Sequence, residues 1–344
     1  MTATQSQGEE QEAVPRRAGL VLTALVLTAM VCNLNISAAT VALPSIATAF
    51  DASQTVLNLI GLGAGLGLSM SVLYFGAVAD RYGRKQLLMI GLVLVVVASL
   101  ISAFAPSAEV LIAARVFTGL AAGMAYPTTL SLITALWAPG ARRTGAIAIW
   151  SSVGGMTSVA GGVLAGTLLI WFDWGSVFFL SVPVAVVALL LVARAVPSRV
   201  GESDEAVDHL GGVLSVLGIA PLVLGISFVL APGLGSLGAW LLVAAAVLLA
   251  LFVVRQLRAG NPIFDLRIAR RRMFWVPALC GMIIFGGMIG AIFVGEQFMQ
   301  SVLGYTALGA GLAVIPAAVG LVLSAPLAAR LVTAKGTRRA MLAG

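Results

Sequence analysis

From Ala18 onward the chain is a succession of apolar runs, each about as long as a bilayer's hydrocarbon core is thick, parted by short islands of charge. Ten can be delimited: 18–46, 54–78, 87–106, 109–136, 144–170, 175–195, 210–231, 236–256, 273–299 and 304–330. About 20 apolar residues wound as a helix cross that core, and a helix satisfies every backbone N–H and C=O within the segment. The chain is therefore expected to be an all-α polytopic membrane protein with about ten transmembrane helices, located in the cell membrane and surrounded by lipid. Most neighbouring runs are joined by short links, so consecutive helices should be antiparallel. Composition agrees: 60% of residues are hydrophobic and 10% charged, against about 25% charged in an average soluble domain.

The few charges carry the orientation, because Lys and Arg of short loops stay on the cytoplasmic side. With the N-terminus placed inside, Arg16, Arg17, Arg81, Arg84, Lys85, Arg142, Arg143, Arg194 and Arg199 all fall there. So do Arg255, Arg258, Arg267, Arg270, Arg271, Arg272, Arg330, Lys335, Arg338 and Arg339, which accounts for all twenty basic residues except Arg115. Asp51, Glu109 and Asp173 mark the opposite side. A wrong helix count would scatter these charges over both sides, so both ends of the chain are expected in the cytoplasm. The net charge of +7 is divided among islands between apolar runs rather than gathered on one basic face, which excludes nucleic acid as a partner. Arg16–Arg17 also resembles a twin-arginine export signal, but the apolar segments that follow read as membrane helices rather than a cleaved leader. Cys32 and Cys280 fall within apolar runs and read as buried free thiols. Nothing calls for a metal or a cofactor, and the chain is expected to act as a monomer.

Residues 83–91, GRKQLLMIG, and 336–344, GTRRAMLAG, share a glycine, basic residues, an apolar opening and a second glycine eight positions on. Each follows two long helices entered from the cytoplasm, so helices one and two look repeated as helices nine and ten. Repeated halves with a substrate site between them are a signature of transporters. The expected organisation is a cytoplasmic tail (1–17), an N-terminal six-helix bundle (18–196), a cytoplasmic linker (197–209) with Glu202, Asp204, Glu205 and Asp208, and an inserted helix pair (210–257). A basic cytoplasmic loop (258–272) then leads to the start of a C-terminal bundle (273–344), which ends where an eleventh helix would begin. A second half built like the first would need four more helices, so we expect a chain cut short after helix ten.

Five stretches carry a resemblance. GAVADRYGRKQLL (76–88) resembles the G-x-x-x-D-R-x-G-R-[KR] loop after the second helix of the major facilitator superfamily, matching at Gly76, Asp80, Arg81, Gly83, Arg84 and Lys85. LNISAATVALPSI (34–46) resembles the first-helix motif L-D-x-T-x-x-N-V-A-L-P of that superfamily's fourteen-helix drug:proton antiporter branch, with Val41, Ala42, Leu43 and Pro44 in register. ARVFTGLAAGMAYP (114–127) resembles the fourth-helix motif R-x-x-Q-G-x-G, with Thr118 for Gln and Ala121 for Gly. GGVLAG (161–166) resembles the antiporter motif G-P-x-x-G-G: Gly161 and Gly166 match, Gly162 replaces Pro and Ala165 replaces Gly. NPIFDLRIARRRMF (261–274) and QSVLGYTALGAGLAVIP (300–316) resemble that branch's entry to helix nine and its link to helix ten. The resemblance implies the major facilitator fold and export of small, often lipophilic compounds in exchange for protons, with a link to multidrug efflux and antibiotic resistance.

Individual residues follow. The resemblance implies that the 76–85 loop clasps the two halves on the cytoplasmic side against the start of helix eleven; Asp80 is free to accept a hydrogen bond from Arg84 or a neighbouring loop. Arg115 lies inside the fourth run, where an arginine costs about 2.5–3.5 kcal/mol on insertion scales and normally faces a cavity or a partner. Counted along straight helices, Asn35 and Arg115 share a depth, so the two are expected to meet; the other reading has Arg115 snorkelling outward beside Glu109. Asn35 stands where the family motif has a protonatable Asp, and neither it nor Asn33 carries a proton. Glu296, an acid well inside a helix of the second half, is the replacement, unless it sits wet at the helix end. Asn33, Asn35, Arg115 and Glu296 are thus the candidate substrate and proton pathway. The glycines of GLGAGLG (61–67) read as close helix packing rather than a nucleotide loop. An intramembrane enzyme needs a His base, a metal cluster or paired aspartates, and the lone His209 lies in the polar linker. A channel would need a polar stripe along a pore. The surviving alternative to a transporter is a truncated, non-transporting paralogue or a membrane sensor or interaction protein.

Overall fold

The computed structural model describes residues 15, 17–198, 200, 205–317, 319–320, 323–324 and 331. Among them the regular structure is entirely helical: α1 (Ala18–Phe50), α2 (Gln54–Tyr82), α3 (Arg84–Ala103), α4 (Ala108–Leu136), α5 (Ala141–Leu168) and α6 (Ser176–Ala195). Then come α7 (His209–Val229), α8 (Gly235–Arg258), α9 (Arg272–Ser301) and α10, described as a helix over Ala307–Ala313. The first nine are long and apolar enough to cross a membrane. Part of the tenth expected run, the 336–344 repeat, Arg16, Arg199, Glu202, Asp204, Arg330, Lys335, Arg338 and Arg339 lie outside the described residues.

Hydroxyl and carboxylate caps fix several helix starts, each accepting a backbone N–H left orphaned by the first turn: Ser53 from Val56, Ser107 from Val110, Asp208 from Gly211 and Thr306 from Gly309. Several helices run past their apolar segments. The second ends at Tyr82 rather than residue 78, because the chain turns only at Gly83, at φ 117°, where a side chain would be strained. Gly76, Asp80 and Arg81 are therefore helical, and the expected loop shrinks to one glycine between α2 and α3.

A polar belt divides the core of the α1–α6 bundle. On one side pack Val21, Leu25, Leu88, Leu92, Leu132, Ile133 and Val192; on the other Val41, Leu43, Ile46, Ile60, Leu111 and Phe178. Between the two clusters lie Asn35, Ser99, Arg115, Thr118 and Ser181, all buried. Helices α2 and α4 approach to backbone contact through glycines. A Cβ on Gly63 would stand 2.9 Å from that of Arg115, one on Gly67 would meet the Val116 carbonyl oxygen, and one on Gly119 would meet that of Ala64. Small residues are what permit such an approach between membrane helices.

Helices α7 and α8 pair in the same way, Gly218 against Leu249 and Gly238 against the Val229 backbone. The pair docks on α2, where Gly212 lies under the Tyr74 ring and the Tyr74 hydroxyl meets His209 Nδ1 at 2.9 Å. At the start of α7, Asp208 accepts from Arg255 Nη2 (2.9 Å) and Nε (3.0 Å), from Gln256 Nε2 (3.2 Å) and from the Gly211 N–H (3.1 Å). Burial pushes this carboxyl up, but those four donors outweigh it and hold it below the ordinary aspartate range.

Candidate functional site

The polar belt is built from short side chains that satisfy one another across helices. Asn35 Nδ2 donates to the Val31 carbonyl at 3.2 Å, its Oδ1 accepts from Ser99 Oγ at 3.2 Å, and Ser99 meets Ser181 at 3.2 Å. One amide thereby ties α1 to α3 and α6. Asn33, two residues back, donates to the Ala29 carbonyl and accepts from Ser158 of α5.

Arg115 is fully buried, so it does not snorkel, and Glu109 is exposed in the first turn of the same helix. Its Nε donates to the Ile60 carbonyl of α2 at 3.4 Å, near the long limit of a hydrogen bond, and its guanidinium carbon lies 5.6 Å from the centre of the Phe178 ring. Both Nη atoms are buried without a hydrogen-bond partner. Asn35 and Arg115 are not hydrogen-bonded to each other: both atoms of the amide are used elsewhere, and the guanidinium turns toward α2 and α6. The two residues belong to one belt, joined through Ser181, whose single hydrogen serves either Ser99 at 3.2 Å or the Phe178 carbonyl at 3.3 Å.

Glu296 lies at the other candidate point. It is 5% exposed and is the one buried residue of α9. Thr40 of α1 donates to its Oε2 at 2.9 Å, and the next residue, Gln297, donates to the Thr40 carbonyl at 3.1 Å. Where α5 comes up to this spot it presents Gly162; a Cβ there would sit 3.4 Å from Val41, 3.6 Å from Glu296 Oε1 and 4.0 Å from Gly311 of α10. One turn on, a Cβ on Gly166 would stand 2.7 Å from the Leu308 backbone nitrogen. Ala165 is buried in the same stretch, and Gly161 lies against the Ser37 hydroxyl. The motif on α5 is thus the surface against which α10 packs, while beside it α9 meets α1. Beside it an apolar groove of about 520 Å³ runs between Val159, Val163 and Leu164 of α5 and Ile315, Val319 and Leu323.

At the basic end Arg84 Nε donates to Asp80 Oδ1 at 2.8 Å, and Lys85 Nζ donates to the Ala193 carbonyl of α6 at 2.8 Å. A cavity of about 440 Å³ opens there between Gly76, Asp80 and Arg81 of α2 and Asp208, Asn261 and Pro262. Thr40, Gln297, Ser99 and Ser181 had drawn no attention in the sequence; Thr40 alone carried a signal, as the residue at the motif's Asn position.

The Major Facilitator Superfamily model matches residues 25–344. Among curated proteins, the multidrug efflux pump LfrA of Mycolicibacterium smegmatis is 35% identical over 305 residues, 89% of this chain and 60% of that protein. The methyl viologen resistance protein SmvA of Salmonella typhimurium is 32% identical over 326 residues, 94% of this chain and 65% of that protein. The chain thus spans under two thirds of the length of these relatives. Among solved structures, a POT family transporter in complex with a thioalcohol-conjugated peptide aligns with a TM-score of 0.65 at 16% identity, covering 95% of this chain and 73% of the other. The proton:xylose symporter XylE aligns with a TM-score of 0.61 at 16% identity, covering 92% and 69%. A family match over nearly all the membrane-embedded residues, on helices that follow the same path in solved transporters, makes this chain a member of the major facilitator superfamily.

Proposed function

We propose that the chain works in the fourteen-helix drug:proton antiporter branch, exporting small lipophilic compounds by alternating access in exchange for protons. The observation that carries the reading is Glu296: a carboxyl buried where α9 meets α1 and α5, with a hydroxyl, glycines and apolar groups around it. A coupling group must exchange its proton with each side in turn, and a group at the seam between moving halves is placed to do so. Asn35 keeps the belt hydrogen-bonded but takes no proton, and Arg115 holds a fixed positive charge beside it. The lipophilic character of the substrate is supported by the apolar groove between α5 and Ile315, Val319 and Leu323, and by the names of the relatives, which speak of multidrug efflux and methyl viologen resistance. The basic end is read as cytoplasmic, with Asp80, Arg81, Gly83, Arg84 and Lys85 as the clasp that weights one state over the other.

The test is proton-driven uptake of a lipophilic dye into everted vesicles. Uptake in the wild type, lost in Glu296→Gln with dye binding retained, is the expected result. Uptake with unchanged pH dependence in Glu296→Gln would remove Glu296 from the mechanism, and no uptake in the wild type would favour a non-transporting paralogue or sensor.

A further inference from the structure

Thr40 makes two contacts with a single proton. Its Oγ1 lies 2.8 Å from the Ser37 carbonyl oxygen and 2.9 Å from Glu296 Oε2. A hydroxyl has one hydrogen to donate and lone pairs to accept with. With Glu296 ionised, both neighbours of Oγ1 are acceptors, so one of the two contacts is always without a hydrogen. With Glu296 protonated, the acid donates to Thr40 Oγ1 and Thr40 donates to Ser37, and both contacts become hydrogen bonds. From the geometry we infer that Thr40 is a positioning residue that reads the charge of Glu296: with the carboxylate ionised, the bond across the α1–α9 seam forms only by giving up the one to Ser37, whereas protonation lets both form and so favours the arrangement in which that seam is closed.

The surroundings leave Thr40 as the group that responds. Among the described residues, Glu296 meets Thr40 of α1 and faces Gly162 of α5, the Gly162 position being flanked in turn by Val41 and Gly311, and none of these four is charged or titratable. Gln297, donating from the adjacent position to the Thr40 carbonyl, fixes the register of α9 against α1 whatever the charge on Glu296. The proton balance is simple: one proton adds to the carboxylate from the solution when the seam is open, and the same proton leaves after the helices part again on the other side. The inference rests on the reading of Glu296 as the coupling group, and the experiment separates the two.

Spin labels at Ala49 and Ser301, exposed positions at the far ends of α1 and α9, report the width of the seam in bilayer nanodiscs, with Cys32 and Cys280 replaced by alanine. The wild type should shift to the short distance as the pH falls. Loss of one hydrogen bond in Thr40→Val, which keeps the shape, should lower the midpoint by about half to one pH unit. Thr40→Ser, which keeps the hydroxyl, should leave it where it was, and Thr40→Ala provides a second deletion should valine disturb packing. Glu296→Gln should hold the short distance at every pH, since its amide donates to Oγ1 as the acid does. A pH-blind Glu296→Gln with an unmoved midpoint in both Thr40 deletions overturns the role of Thr40 and leaves that of Glu296 standing. A pH response that survives in Glu296→Gln, or is missing in the wild type, overturns both.

Discussion

Replacing Arg115 by methionine should leave the fold as stable as before, or more so, while ending transport. The buried guanidinium costs about 2.5–3.5 kcal/mol at mid-membrane. Two of its three nitrogens have no hydrogen-bond partner, and the third donates over 3.4 Å. That weak bond contributes about 1 kcal/mol, and the Phe178 contact at 5.6 Å about 1–2 kcal/mol. Gains and cost nearly cancel. Methionine removes both sides of that balance and keeps an unbranched chain of similar reach packed against Gly63, so the expected change lies between zero and about 2 kcal/mol of stabilisation. Arg115→Ala should instead lose about 2–5 kcal/mol, because it leaves a hole in a closed bundle. Thermal unfolding of the purified chain in nanodiscs, followed by thiol-reactive dye at Cys32, separates the variants; dye efflux measures function in the same preparations. A loss of more than about 3 kcal/mol in Arg115→Met would refute the reasoning. It would mean that the guanidinium holds the bundle together and is not kept there for transport.

Gly67→Ala should destabilise by about 1–3 kcal/mol by forcing α2 from the Val116 carbonyl, whereas Gly65→Ala, where a Cβ meets nothing within 4 Å, should be neutral or stabilising; thermal unfolding decides. Asp208, held below the ordinary aspartate range, stabilises the start of α7 fully above about pH 4 and loses that contribution as the pH falls through its depressed value. Hydrogen exchange at the Gly211 and Gly212 amides should accordingly be flat from neutral pH to about 5 and accelerate below about 4, after correction for intrinsic rates, and Asp208→Asn should show fast exchange throughout. Cysteine placed at Ser236, exposed at the start of α8, should react with impermeant reagent from outside, and one at Ser203, outside the described residues, should not; the reverse pattern would invert the orientation.

The helices and their sequence order were legible because each physical requirement leaves a mark on the chain: span length on the apolar runs, close approach on the glycines of α2, turns on Gly83. The site was legible in its residues and less so in its pairings. Counting along straight helices put Asn35 and Arg115 at one depth, and in the structure both are buried in the belt between the two apolar clusters. Depth says nothing of azimuth, however, and the direction Arg115 takes was settled by Gly63 beneath its Cβ and by the Ile60 carbonyl beside its Nε. The Thr40–Glu296 hydrogen bond joins residues 256 positions apart. It depends on how α9 leans on α1, which no local pattern encodes. The extent of α2 was misjudged for a simpler reason: hydropathy ends where lipid ends, while the helix continues into water until a glycine releases it.

Helices α2 and α4 touch backbone to backbone at Gly67 and Gly119, with only the Arg115 Cβ at Gly63 and the small Ser71 side chain at Gly123 on either side. Such a joint transmits motion without slack, so the stretch of α2 beyond it behaves as a lever arm. From Gly67 to Asp80 that arm is about 20 Å long at 1.5 Å per residue. A tilt of about 5° at the joint carries Asp80 sideways by about 2 Å, enough to part a hydrogen bond at the basic end. The small displacement that a change beside Arg115 can produce is thereby magnified at the membrane's edge, where Asp80 and Arg84 meet.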